Sequence, residues 1–220
     1  NNVGTLNYIP SAKVYVAEKE FEEYRKNYPE ANIVKVPDSV QGNISRIRNY
    51  IIEDNKDNVV CIVDDDLAYL AYYQGNREVK LKDESEIYGF LYKYTVMAMD
   101  LGLTLWGIAI NKDKQVYQEQ KPFSFHSYIG SPFMVHINTD IRFDENIPLK
   151  EDYDFILQTL NKHRIALRVN KFHYNVKQAK QIGGVAGYRN IDEEKRQFDL
   201  LQKKWGSKIV REDKMKSGKG

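Results

Sequence analysis

At 220 residues, 42% hydrophobic and 29% charged, the chain has the composition of a globular protein with one sizeable core, which excludes a disordered polymer. Its net charge of +2 is too small to announce a nucleic-acid binder. No apolar run approaches the roughly 20 residues that a bilayer span needs, so no membrane association is expected. A single cysteine, Cys61, excludes an internal disulfide and a cysteine-based zinc site. The opening residues lack a basic start and an apolar core, so no leader and a reducing, cytoplasmic setting are expected.

In chain order, Lys13–Ala17 reads as a buried strand, followed by a charged amphipathic helix over 18–28 that Pro29 stops. A second strand, Asn32–Val36, ends at Pro37. After Gly42 the spacing of Ile44, Ile47, Ile51 and Ile52 gives one apolar helical face ending near Asp54. Val59–Val63 is an unbroken apolar run, the pattern of a strand covered on both faces. This β-α-β-α-β order predicts a parallel sheet flanked by helices. A long helix over 83–101 carries Ile87, Leu91, Tyr94, Met97 and Ala98 on one side. Short strands follow at 103–110, 116–120 and 133–138. Then come a helix over 151–162, a strand over 165–169 and a final helix over 192–205. The expected fold class is α/β: one Rossmann-like domain over 13–205, its mixed sheet parallel early and mixed later. Residues 1–12 are read as an extension. Residues 206–220 form a basic tail, either solvated and frayed or phosphate-seeking.

The sharpest feature is Asp64-Asp65-Asp66 at the end of an apolar strand. Adjacent carboxylates repel, and desolvating any of them is costly without a counter-charge. A hard divalent cation such as Mn²⁺ or Mg²⁺ resolves the conflict, and ligands of open α/β sheets gather at strand carboxyl ends. A polar loop is the alternative. Gly42 lets backbone pass close to a ligand where a helix begins, and Arg46 lies near that anion-favouring end. Glu151 and Asp152 open a helix, where the dipole favours acids on any helix. His173 offers an imidazole suited to Mn²⁺, although a lone histidine is usually structural. Gly183 and Gly184, with Arg189, suit a flexible phosphate-covering loop or a plain turn.

In this order, these motifs resemble the GT-A glycosyltransferases. Within them the chain is similar to the group associated with TET/JBP-type base hydroxylases, which includes base J glucosyltransferase and phage proteins. The resemblance spans roughly 13–205. It implies a GT-A fold and transfer of a hexose from a UDP-sugar, UDP-glucose first. The implied acceptor is the hydroxymethyl group of a modified pyrimidine in DNA, such as 5-hydroxymethyluracil or 5-hydroxymethylcytosine, in phage DNA hypermodification. For a phage protein the setting is the host cytoplasm. Carried over, Asp66 is the principal metal ligand and Asp64 lies toward the ribose or the metal. Asp65 is a spacer or accessory acid, and His173 is a further metal ligand. Gly42, Arg46, Gly183, Gly184 and Arg189 lie beside the donor. Asp152 is the first choice of acceptor base and Glu151 the second. An extruded base would stack on an aromatic ring, with Tyr128, Phe133, Tyr72 and Tyr73 as candidates; His126 and His136 could face the acceptor. Two readings stay open: a GT-A enzyme with a glycan, lipid or protein acceptor, and a non-catalytic nucleotide- or nucleic-acid-binding module. Nothing in the sequence sets an oligomeric state.

Overall fold

The computed structural model describes residues 3–75, 77–109, 117–130, 132–176 and 190–212. Strands β1 (Lys13–Ala17) and β2 (Asn32–Val36) pair in parallel, from Lys13 opposite Asn32 to Ala17 opposite Val36. Between them the chain makes a 3₁₀ turn, Glu18–Glu20, and then helix α1 (Phe21–Asn27), so the expected helix begins three residues later. Gly42, at φ +78, supplies a left-handed turn that a side chain would strain. Asn43 then caps α2 (Ile44–Asp54), its side chain accepting from the Arg46 amide.

The main sheet is built from β3 (Val59–Val63), β4 (Leu67–Gln74), β5 (Arg77–Lys80), β6 (Leu105–Ala109), β7 (Phe123–Ser124), β8 (Phe133–Ile137) and β9 (Leu167–Val176). Its order is β3-β8-β6-β9-β4-β5, with β7 beside β9. Only the β6–β9 pair is parallel among the described pairings of this sheet. The architecture is the expected mixed α/β domain, but its early part differs from expectation. β3 does not extend the β1–β2 pair; it runs antiparallel to β8. β1 is tied instead to the C-terminal end of α2, with Lys13 Nζ on Asn55 at 2.9 Å and the Tyr15 hydroxyl on Asp54 at 2.8 Å. β3 is therefore not covered on both faces throughout; Val59 is 42% exposed.

The β4–β5 hairpin was not anticipated, although Leu67–Gln74 is rich in aromatic and apolar residues and ends at Gly75, φ +57. The predicted strand at 116–120 is not one over 117–120, and Val116 lies outside the described residues. β9 is longer than expected: past Val169 the apolar positions change phase at a register shift, and Phe172–Val176 go on to pair with β4.

Period-2 alternation divides the core. Trp106, Ile108, Phe133, Val135, Leu167 and Val169 pack with Ile87, Phe90, Tyr94 and Ala98 of helix α3 (Glu84–Asp100). From the other face, Val60, Ile62, Leu105 and Met134 meet Ile52 of α2 and Phe155 and Ile156 of helix α4 (Glu151–His163). Helix α5 (Ile191–Trp205) closes over α4. Asp154 of α4, fully buried, accepts from Trp205 Nε1 at 2.7 Å and from Lys204 Nζ at 2.9 Å. Residues at both ends join the packing: Val3, Thr5 and Ile9 are buried, as is Val210 beside Leu201. Among the described residues no helix is long and apolar enough to cross a membrane.

Candidate active site

A cleft of about 1860 Å³ lies between the β1–β2 pair and β3. Asp64, Asp65 and Asp66 sit on its wall, in the link from the end of β3 to the start of β4. The backbone of this link is held from the N-terminal segment. Thr5 donates its amide to the Asp65 carbonyl at 3.2 Å and its hydroxyl to the Asp64 carbonyl at 2.5 Å. The Leu67 amide donates back to the Thr5 oxygen at 3.3 Å.

Electrostatically, the centre of the site is Arg48. Helical spacing puts it on the buried face of α2 with Ser45 and Ile52, and only 4% of it is exposed. Burial alone would weaken a guanidinium's hold on its proton; the charges of Asp64 and Glu151 more than offset this and raise its pKa. Nη2 donates to Asp64 at 3.0 Å and Nη1 to Glu151 at 2.5 Å. Burial holds the Glu151 carboxyl above the usual carboxylate range, with Arg48 opposing.

The remaining acids of the triplet lack such a partner. Asp65 and Asp66 are both raised, first by desolvation and then by the neighbouring Asp64 charge. Asp66 Oδ1 is buried and accepts no hydrogen bond among the described residues. The Tyr174 hydroxyl is pushed above its usual range by burial and then by Asp64, Asp152 and Asp66, so the acids from two elements face one centre.

Asp152 begins α4 and lines the cleft beside Glu151. The Tyr128 hydroxyl donates to its Oδ2, and the Tyr153 amide to its Oδ1 at 2.8 Å. Glu151 is committed to Arg48, whereas Asp152 is half-buried and borders open space.

Other expected site residues lie in different surroundings. Gly42 lines the cleft. Arg46 does not turn inward; Nε pairs with Glu145 at 3.1 Å and Nη1 donates to the Ser39 carbonyl at 3.2 Å. Two helical positions, about 200° of rotation, separate it from Arg48 on the buried face. His173 is not brought to the triplet. It pairs with Ala71, five residues past Asp66 and roughly 16 Å along an extended strand. Its ring is 1% exposed, bonded through Nε2 to Glu78 at 2.8 Å and stacked on Tyr73 at 4.9 Å. The longer β9 puts it mid-strand rather than at a strand end. Gly183, Gly184 and Arg189 lie outside the described residues.

Of the aromatic candidates, Phe133 is fully buried and Tyr73 is enclosed by His173 and Tyr117. Tyr72 packs on Phe172, while Tyr128 faces the cleft. His136 is buried against Phe143 and Phe155, away from the cleft lining, and His126 is exposed. Sequence reasoning passed over Arg48, Thr5, Tyr153 and Tyr174. Arg48 was the most legible, four residues from both Ile44 and Ile52 on the inward face.

The donor set fits a hard cation only as a partial shell. Among the described residues no group of three or more His, Cys, Asp or Glu side chains converges for a metal. A divalent ion of this kind commonly takes one or two carboxylates and fills its shell with water and substrate phosphate. Asp66, with its unpartnered oxygen, and Asp64 match that lesser requirement.

A family model described as TET-Associated Glycosyltransferase matches residues 11–184. No curated protein and no solved structure matches the chain.

Proposed function

Since the chain belongs to the TET-associated glycosyltransferase family, we propose that it moves glucose from UDP-glucose to the hydroxymethyl group of a modified pyrimidine in DNA. The observation that carries the reading is the buried, unpartnered Asp66 oxygen on the same cleft as the accessible Asp152. One carboxylate oxygen has room for a cation, while a second carboxylate, oriented by Tyr128 and the Tyr153 amide, borders the same space.

In this reading Asp66 is the principal ligand of a Mn²⁺ or Mg²⁺ ion on the donor diphosphate, with Asp64 beside it. When bound, the ion offsets the charge that develops on the departing diphosphate. Asp65 is an accessory acid. Arg48 fixes the Asp64 carboxylate against Glu151, so Glu151 serves position rather than proton transfer. Asp152 takes the acceptor proton, with Tyr128 setting its orientation. Gly42 supplies the left-handed turn that opens α2 beside the nucleotide. The catalytic unit is residues 13–205 together with the N-terminal segment whose Thr5 braces the triplet, and phage DNA hypermodification in the host cytoplasm suits the acceptor.

The test is mass spectrometry of oligonucleotides containing 5-hydroxymethyluracil or 5-hydroxymethylcytosine, incubated with a panel of UDP-sugars and Mn²⁺. The expected product carries one added hexose. Asp66→Asn should lose donor hydrolysis and transfer together, whereas Asp152→Asn should retain UDP binding and lose transfer by about 10²-fold or more. Modification of an oligosaccharide, lipid or protein in place of the oligonucleotides would move the acceptor outside DNA. Absence of UDP binding with Mn²⁺ present would make the chain a non-catalytic module.

A further inference from the structure

Tyr153 joins the machinery above only through its backbone amide, which donates to Asp152; its ring has no part in it. It follows Asp152 on the first turn of α4, lines the cleft, and leaves 47% of its surface exposed. Its ring is not loose. It lies on Tyr128 with centroids 4.4 Å apart and planes 26° from parallel, an offset stack. Tyr128 is in turn fixed at its other end, since its hydroxyl donates to Asp152 and its carbonyl accepts from Arg168 Nη1 at 3.1 Å.

A large ring held in one orientation while half exposed at a cleft wall offers a ready stacking surface. One face meets Tyr128 and the remaining exposure is toward space that the acids also border. We propose that Tyr153 is the acceptor platform: a planar pyrimidine, single-stranded or extruded from a duplex, stacks on its open face and extends the Tyr153–Tyr128 pile. This rests on the DNA-acceptor reading and deepens it by naming the subsite. A nucleobase fits better than a sugar because the surface is a continued π stack rather than a single ring edged by hydrogen-bonding side chains. The acidic surroundings also set the base, rather than its backbone, against this wall, since an uncharged ring enters them more readily than a phosphate does. Tyr128 serves two ends at once. It backs the platform and bonds the carboxylate that receives the proton, so the acceptor ring is registered against the base through one side chain.

The full chain is assayed with single-stranded oligonucleotides carrying one 5-hydroxymethylpyrimidine, with hydrolysis of UDP-glucose in the absence of acceptor measured alongside. Tyr153→Leu should raise the acceptor KM about tenfold, as loss of one base–aromatic stack does, and leave donor hydrolysis within about twofold. Tyr153→Phe should behave as the parent chain. An unchanged acceptor KM in Tyr153→Leu, with the oligonucleotide still glucosylated by the parent, overturns the platform alone. Equal loss of donor hydrolysis and transfer also overturns it, because it makes Tyr153 a support for the whole site. If the parent hydrolyses donor but modifies no oligonucleotide, the DNA reading falls and the platform with it.

Discussion

Replacing Arg48 by Met keeps an apolar stem in the same space and removes the charge between Asp64 and Glu151. The two acids lose unequally. Asp64 is 35% exposed, so water takes up much of what Arg48 gave and its share is small. Glu151 has only 10% of its side chain exposed and is left as a buried charge without a partner. Breaking such a pair from one side costs about 3–5 kcal/mol. The cost carries a pH signature. Burial already raises the Glu151 carboxyl, and Arg48 is the group that opposes the rise, so Arg48→Met lifts it further. A carboxyl raised in the folded state binds a proton that the unfolded chain has released. Its stabilising contribution is therefore complete below the unfolded pKa and lost as pH rises through the folded one. The gap between variant and parent should be widest near pH 8. It should narrow at up to about 1.4 kcal/mol per pH unit as pH falls from the raised pKa toward roughly 4.3. Urea unfolding at pH 8 and 5.5 reads this directly. Adding Glu151→Gln to Arg48→Met should recover part of the loss at pH 8. A gap below about 1 kcal/mol at pH 8, or one equal at both pH values, would refute the argument.

Three further outcomes follow from other buried polar groups. His136 is enclosed with no partner on either ring nitrogen among the described residues, and burial pushes its pKa down to about 3. The unfolded chain takes up a proton below about 6.5 that the fold refuses, so the parent should lose about 2 kcal/mol between pH 6.5 and 5 that His136→Leu retains; parallel acid profiles would contradict this. Thr5→Val should cost about 1–3 kcal/mol and weaken Mn²⁺ binding measured by calorimetry, with Thr5→Ser restoring both; full Mn²⁺ affinity in the Val variant would free the triplet from its N-terminal brace. Asp154→Leu leaves Lys204 and the Trp205 N–H without their buried acceptor, so α5 should become the first site cut in limited proteolysis; an unchanged digestion pattern would argue against the anchor.

Much of the fold could be read along the chain because most of its information is periodic. Helix α2 shows its apolar stripe, α3 its length, and Val59–Val63 its unbroken apolar run. What could not be read was which strands pair. An apolar strand looks the same whether its neighbour is β1, which precedes it, or β8, seventy residues later. The same limit governs the site. Asp64, Asp65 and Asp66 stand out because charge crowding is local, and Glu151 and Asp152 because a helix opens there. Arg48 and Arg46 differ only in which side of one turn they occupy, and only the packed helix separates an inward cation from a surface one. For His173 the difficulty was length. Had β9 ended at Val169, as its first apolar residues suggested, His173 would lie in a loop; five pairings with β4, from Phe172 to Val176, draw it into the sheet.

The charge arithmetic of the whole chain conceals that of the cleft. A net +2 suggests near neutrality, yet Arg48 faces Asp64, Glu151 and Asp152, with Asp65 and Asp66 in the same link as Asp64. Around the cleft Lys13, Lys19, Arg48 and Lys150 stand against Glu20, Asp38, Asp64, Asp65, Asp66, Glu151 and Asp152, a local negative surplus that adds to the burial raising Asp65, Asp66 and Tyr174. A bare diphosphate would be repelled from such a wall, while a diphosphate carrying a divalent ion would be drawn to it. The same field acts on the acceptor. Nucleic-acid backbone is disfavoured beside Asp152, but an uncharged base reaching past its own backbone is not. On the proposed reading, the acids would select both substrates by charge, admitting the donor as a metal complex and the acceptor by its ring. The modest overall charge becomes compatible with a DNA substrate that touches the acidic wall through one base alone.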